Sequence, residues 1–336
     1  MTLQDVREQG ALPGGQEEPS EPVQEWAAAA PLWRRVSAFL LDSALLVAAG
    51  AVLCFLLRDL LVPLGNGGKL VGLAIAALYF VPRDGRPGNG QTPGKRLLGI
   101  RVVDRFGGAV STARSACRFL VAATPVFLIG IRLTYGMYNW VAVFLAMFLS
   151  FGLGGGLVYL VLFNRRTGQS LHDLVFDTYV ISVRTGNARL IGQRVALRHY
   201  AIFSAYLFFI SAFVLWNTPR MISAEQFRHV VEIKKLLSSQ DGVMDSSVKW
   251  GSYLRGEGSY MDVTVYLEEE PASYARAVDE AASTVVKGYP HMDEVDNLTV
   301  TAMYGYDIGL FWSFKSSSVS KKPGGWRNHL RQEDAG

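Results

Sequence analysis

Trp33-Arg34-Arg35-Val36-Ser37-Ala38-Phe39-Leu40-Leu41-Asp42 opens an apolar run that continues to about Leu61, and its reading decides the fold. A bilayer core takes about 20 apolar helical residues to cross, so the run is long enough for a span. Arg35 stands at its mouth, and Asp42 lies two helical turns further on, on nearly the same face. An ionised carboxylate at membrane depth costs about 2.5 to 3.5 kcal/mol on insertion scales. Asp42 therefore needs a partner, and either a loop arginine or an ion-binding cavity would answer that need.

The rest of the chain suits the same setting. Of 336 residues, 50% are hydrophobic and only 18% are charged, against about 25% charged in ordinary soluble domains. Four more apolar segments follow: Lys69 to Val81, Ala116 to Ile131 with Pro125 inside it, Trp140 to Phe163, and Tyr200 to Trp216. Lys69 to Val81 is short and can cross only by starting earlier. Residues 1–30 are Glu, Gln, Pro and Gly-rich without apolar periodicity and read as a disordered cytoplasmic tail. Nothing there resembles a cleavable signal. Cys54 and Cys117 both lie in apolar runs, which excludes a disulfide-stapled scaffold.

Charge distribution orients the segments. Arg83, Arg86, Lys95, Arg96, Arg101, Arg105, Arg114 and Arg118 cluster between the second and third, and Arg165, Arg166, Arg184, Arg189, Arg194 and Arg198 between the fourth and fifth. The alternate loops hold only Arg58, Lys69 and Arg132. Retention of basic loops in the cytoplasm then predicts five spans, with the N-terminus inside and the C-terminus outside. The net charge of +4 divides into +8 over residues 1–219 and −4 over residues 220–336. That division makes the basicity a topological signal and removes nucleic acid as an expected partner.

Beyond the fifth span, periodicity predicts a small α+β domain over residues 220–315. It comprises a helix from Ala224 to Leu237, strands at Val243–Tyr253 and Met261–Leu267, a helix from Pro271 to Lys287, and a strand from Leu298 to Met303. Residues 316–336, rich in Ser, Gly and Lys, are expected to be a disordered tail.

Three further motifs stand in the first half. Gln91-Thr92-Pro93-Gly94-Lys95-Arg96-Leu97-Leu98-Gly99-Ile100-Arg101-Val102-Val103-Asp104 is too basic to cross and ends like a strand. Ser170-Leu171-His172-Asp173 precedes a β-branched stretch, Val180 to Val183, expected to pair with Ile100 to Val103. Gly152 and Gly156 form a small-xxx-small pair, read as close helix packing, with local unwinding as the alternative. His172-Asp173 lacks the further ligands that metal hydrolysis requires, and no Walker loop, nucleophile elbow, zinc spacing or dinucleotide fingerprint is present. No enzymatic activity, metal or cofactor is expected.

Together these motifs resemble the RDD family of bacterial membrane proteins over about residues 31–184. Arg35 matches the family's arginine, Asp42 its first aspartate and Asp173 its second, while Phe176-Asp177 stand where the family often has a small residue and Gly before Thr178. The resemblance implies a four-helix domain (31–184) in a bacterial inner membrane, followed here by a linker and fifth helix (185–219). For the family at large it implies only a suggested transport role.

Arg35, Asp42 and Asp173 are thus the candidate ion- or ligand-binding residues, with Arg96 and His172 in support. Two functions stay open. The chain is a membrane scaffold or sensor whose outer domain binds an envelope protein or small ligand, or it moves a small ion or solute through Asp42. So few spans enclose little volume, and transport would require a homodimer.

Overall fold

The computed structural model describes residues 29–131, 140–183, 195–223, 225–252 and 258–333. The expected N-terminal tail up to residue 28, and the linker from 185 to 194, lie outside the described residues. The membrane half begins with α1 (Leu32–Leu56). A helical step, Arg58–Leu61 and then a 3-10 segment Val62–Gly67, leads into α2 (Gly68–Asp84). There follow α3 (Pro93–Leu97), β1 (Ile100–Asp104) and α4 (Thr112–Leu128). The next helix, α5, consists of Trp140–Met147, a π-helical segment Phe148–Leu153 and Gly154–Phe163. It is followed by α6 (Leu171–Val175), β2 (Thr178–Ser182) and α7 (Leu197–Ser223).

Among the described residues, four stretches are long and apolar enough to cross a membrane: Leu32–Leu56, Arg58–Asp84, Val141–Phe163 and Leu197–Asn217. The Gly/Pro-rich loop before the short second segment is itself helical, so that span starts at Arg58, well before Lys69. The expected third span is α4, shifted toward the N-terminus and 17 residues long, because Ser111 caps it by accepting from the Arg114 amide. Phe55, Leu78, Phe208, Phe209 and Phe213 point outward, which a lipid surround makes favourable.

Both basic segments lie at one end of the bundle, because β1 and β2 pair antiparallel, Ile100 opposite Ser182 and Asp104 opposite Thr178. The expected pairing of these two stretches is therefore present. Ala29 bridges to Ile181 beside them. Asp177 takes a left-handed backbone conformation, φ 49°, just before β2. That conformation is ordinarily a glycine's, and Asp is among the few side chains that tolerate it.

The glycine run of α5 serves close packing. A Cβ on Gly155 would strike the Tyr206 ring, and one on Gly156 the Phe203 ring, both on α7. Gly152 faces Leu207 of the same helix. The helix also widens at Phe148–Leu153, and Tyr206 Oη donates to the Phe151 carbonyl within this π segment at 2.5 Å.

The second half comprises α8 (Glu225–Ser238), β3 (Val243–Ser252), β4 (Ser259–Leu267), α9 (Tyr274–Gly288), β5 (Asn297–Asp307), β6 (Trp312–Lys321) and α10 (Pro323–Glu333). The sheet runs β3-β4-β5-β6, with β4 and β5 parallel and the other pairs antiparallel. Burial alternates along β4 and β5, and Val278, Ala281, Ala282 and Val285 of α9 fill the covered side.

The expected disordered tail at 316–336 is a correction: residues 316–321 complete β6, and α10 follows. β6 is a polar edge strand, a common guard against edge-to-edge association, which hides it from apolar patterning. Pro323, Trp326 and Leu330 are the buried positions of α10; Trp326 donates from Nε1 to the Leu298 carbonyl at 2.9 Å.

The two halves are joined by the turn between β5 and β6. Ile308-Gly309-Leu310-Phe311 enters the end of the bundle remote from β1 and β2, between α1, α2 and α4. Gly72 leaves no room for a side chain against the Ile308 carbonyl, and Gly68 faces Asp307 O at 2.9 Å from where its Cβ would stand. Lys69 donates to the Ile129 carbonyl and pairs with Asp307 at 3.3 Å. Leu310 touches both the bundle core at Leu46, Ala76, Ala123 and Phe127 and the core of the C-terminal half, which itself takes in Cys54, Leu61 and Val62.

Candidate functional site

Asp42 is fully buried on the inner face of α1. Its carboxylate accepts from Tyr79 Oη at 2.7 Å, from Thr92 Oγ1 at 2.5 Å and from the Gly94 amide at 2.9 Å. The Thr-Pro-Gly motif thus acquires a physical reading. Thr92 caps α3 by accepting from the Lys95 amide, Pro93 opens the helix where its missing N–H is harmless, and Gly94 lets the backbone approach. A Cβ on Gly94 would lie 2.9 Å from Asp42 Oδ1 and 2.5 Å from the Ala38 carbonyl. Asp42 meets neither Arg35 nor a loop arginine; neutral donors satisfy it.

Asp173 is the centre of a second, ionic group. It is fully buried at the third position of α6, where it forms a reciprocal capping box with Ser170. Arg35 Nη2 reaches its Oδ2 at 3.0 Å, Arg118 Nε its Oδ1 at 2.9 Å, and Thr178 Oγ1 donates to Oδ1 at 3.0 Å. Arg118 also extends Nη1 to Asp84 Oδ2 at 2.8 Å, and Lys95 closes on the same Asp84. A ladder of alternating charge, Arg35, Asp173, Arg118, Asp84, Lys95, therefore ties α1, α6, α4, α2 and α3 together. With Asp42 the six formal charges sum to zero.

Of the residues expected from sequence, Arg35 and Asp173 come together, and Asp42 stands apart with its own partners. Lys95, the neighbour of Arg96, supplies the cation expected of Arg96. Arg118 and Asp84 were not singled out by the motifs. The available signal was an arginine inside an apolar helix, where a charge needs a buried partner. Gly152 and Gly156 serve helix packing away from both groups. In the C-terminal half Asp279, His329 and Glu333 bring potential ligand atoms within 4.8 Å of one another; His329 Nε2 and Asp279 Oδ1 lie 2.9 Å apart within that group.

His172 is held beside Ser170, its ring nitrogens 3.0 and 3.2 Å from the Ser170 hydroxyl. Burial pushes its pKa from 6.5 down to about 3, and Arg118, Arg35 and Lys95 add to the shift against the pull of Asp173. For Asp173 burial acts upward, but Arg118 and Arg35 outweigh it and hold the carboxyl well below its usual range. The signs agree. As pH falls through 6.5 the unfolded chain takes up a proton on His172 that the folded chain refuses, and below about 3.8 Asp173 adds a loss of its own. His172 alone should cost up to about 1.4 kcal/mol per pH unit below 6.5, ending near pH 3. Melting of the purified protein across pH 7.5 to 4.5 should show this slope, and His172→Asn should flatten it; an unchanged slope would refute the assignment.

Residues 29–177 match the sequence model of the RDD family. No curated protein and no solved structure matches the chain.

Proposed function

Because residues 29–177 belong to the RDD family of membrane proteins, we propose that the chain works without enzymatic chemistry, as a membrane scaffold or sensor whose outer domain binds an envelope protein or small ligand. α4 serves as the fifth crossing in this reading. The N-terminus and the basic β1–β2 end face the cytoplasm of a bacterial inner membrane, as retention of basic loops requires. One observation supports the coupling above all: the Ile308–Phe311 turn is seated between α1, α2 and α4, so displacement of the outer domain must be felt by the bundle. Pull-down from native membranes after crosslinking should recover an envelope partner or labelled ligand with the intact chain and lose it when residues 220–336 are removed. Retained recovery would overturn this reading.

Asp42 favours a second reading. A buried carboxylate contacted by neutral donors can exchange a proton or small cation without dismantling an ion pair. In proteoliposomes such transport, through a homodimer, should be abolished by Asp42→Asn in protein that remains folded. Flux that is absent or indifferent to the substitution would remove it.

A further inference from the structure

The β1–β2 end of the bundle carries a cavity of about 450 Å³ that the charge ladder does not use, lined by Phe163, Arg165, Arg166, Ala196, Arg198 and His199. It lies where one apolar helix ends at Phe163 and another begins at Leu197, the level at which both leave the hydrocarbon. Three arginines line it, and the start of a 27-residue helix adds the partial positive charge of its N-terminal end.

His199 is buried in the cavity wall, with its Nδ1 3.0 Å from Tyr159 Oη. The membrane side of the same region is apolar and outward-facing: Leu162, Phe163, Leu197 and Tyr200 are all exposed. A cationic hollow under an apolar lip matches a molecule with an anionic head and a hydrocarbon body. Guanidinium pairs bind phosphate oxygens bidentately, and basic pockets between spans receive anionic headgroups.

We propose that this cavity binds the phosphate of an anionic glycerophospholipid, with the acyl chains lying along Leu162, Phe163 and Tyr200. Bare phosphate would use the arginines and leave the apolar lip unused; a zwitterionic lipid would bring its own cation against them.

The test is native mass spectrometry of the full chain with phosphatidylglycerol or phosphatidylcholine. Phosphatidylglycerol should be retained at least about tenfold better. The variant Arg165→Ala/Arg166→Ala/Arg198→Ala should erase that preference, while Arg198→Lys should keep most of it. Millimolar inorganic phosphate should leave lipid retention unchanged. If the triple variant does not elute as folded protein, Arg198→Glu read against the same two lipids replaces it. Equal retention of both lipids, or a preference untouched by the arginine changes, overturns the proposal. So does displacement by inorganic phosphate, which would name the free anion as the occupant.

Discussion

Arg118→Leu is expected to be the most damaging single substitution in the bundle. Arg118 is nearly fully buried and serves two carboxylates at once, Asp173 through Nε and Asp84 through Nη1. Its removal leaves Asp84 to Lys95 and Asp173 to Arg35, one cation short in a region with little water to compensate. Breaking a buried pair from one side costs about 3 to 5 kcal/mol, a large share of the roughly 5 to 15 kcal/mol that holds a typical domain together. Folded yield and thermal unfolding in detergent should both fall sharply. Adding Asp84→Asn should recover part of the loss, because it returns the remaining buried charges of Arg35, Lys95, Asp42 and Asp173 to a sum of zero. Arg118→Lys should be intermediate, since a compact ammonium cannot span two carboxylates as a planar fork does. A parental melting temperature in Arg118→Leu would refute the ladder.

Gly72→Val should expel the β5–β6 turn from the bundle. The new Cβ would occupy the position of the Ile308 carbonyl, which is backbone and cannot rotate away. Ile308 is fully buried, and the loss of such a side chain from its site is worth about 1.5 to 3 kcal/mol. Cys54 reports on the event, because it is fully buried in the same cluster near the turn. In a Cys117→Ser background, maleimide labelling of Cys54 should rise by a factor of roughly 10 to 100 in Gly72→Val. Gly324→Ala, where a Cβ meets nothing within 4 Å, should leave labelling at the parental rate. Unchanged labelling in Gly72→Val would mean that the turn is not held there.

The membrane half was largely legible because its signals are long or paired. Apolar runs near the length of a bilayer core announce helices, and two β-branched stretches flanked by arginine announced the β1–β2 pair. Boundaries moved where a cap decided them, as Ser111 does for α4. The site was legible only as single residues. Arg35 and Asp173 were marked by their setting, but Arg118 looked like one more basic residue at a loop edge, and its partners lie 34 and 55 positions away. Asp42 was expected to seek a cation, yet a hydroxyl pair and an amide serve it, and the glycine that admits the amide carries no charge to notice. The last strand and helix escaped because Ser and Lys dominate β6 and α10 buries few apolar side chains.

The zero net charge of Arg35, Asp42, Asp84, Lys95, Arg118 and Asp173 bears on how the bundle answers the transmembrane voltage. A voltage of 100 mV does about 2.3 kcal/mol of work on each elementary charge carried fully across. Moved as a body, the six side chains feel no net force, so the set is electrically silent however steep the gradient. Asp42→Asn would end that silence: the set would then carry one positive charge, and the field would act on it for the first time.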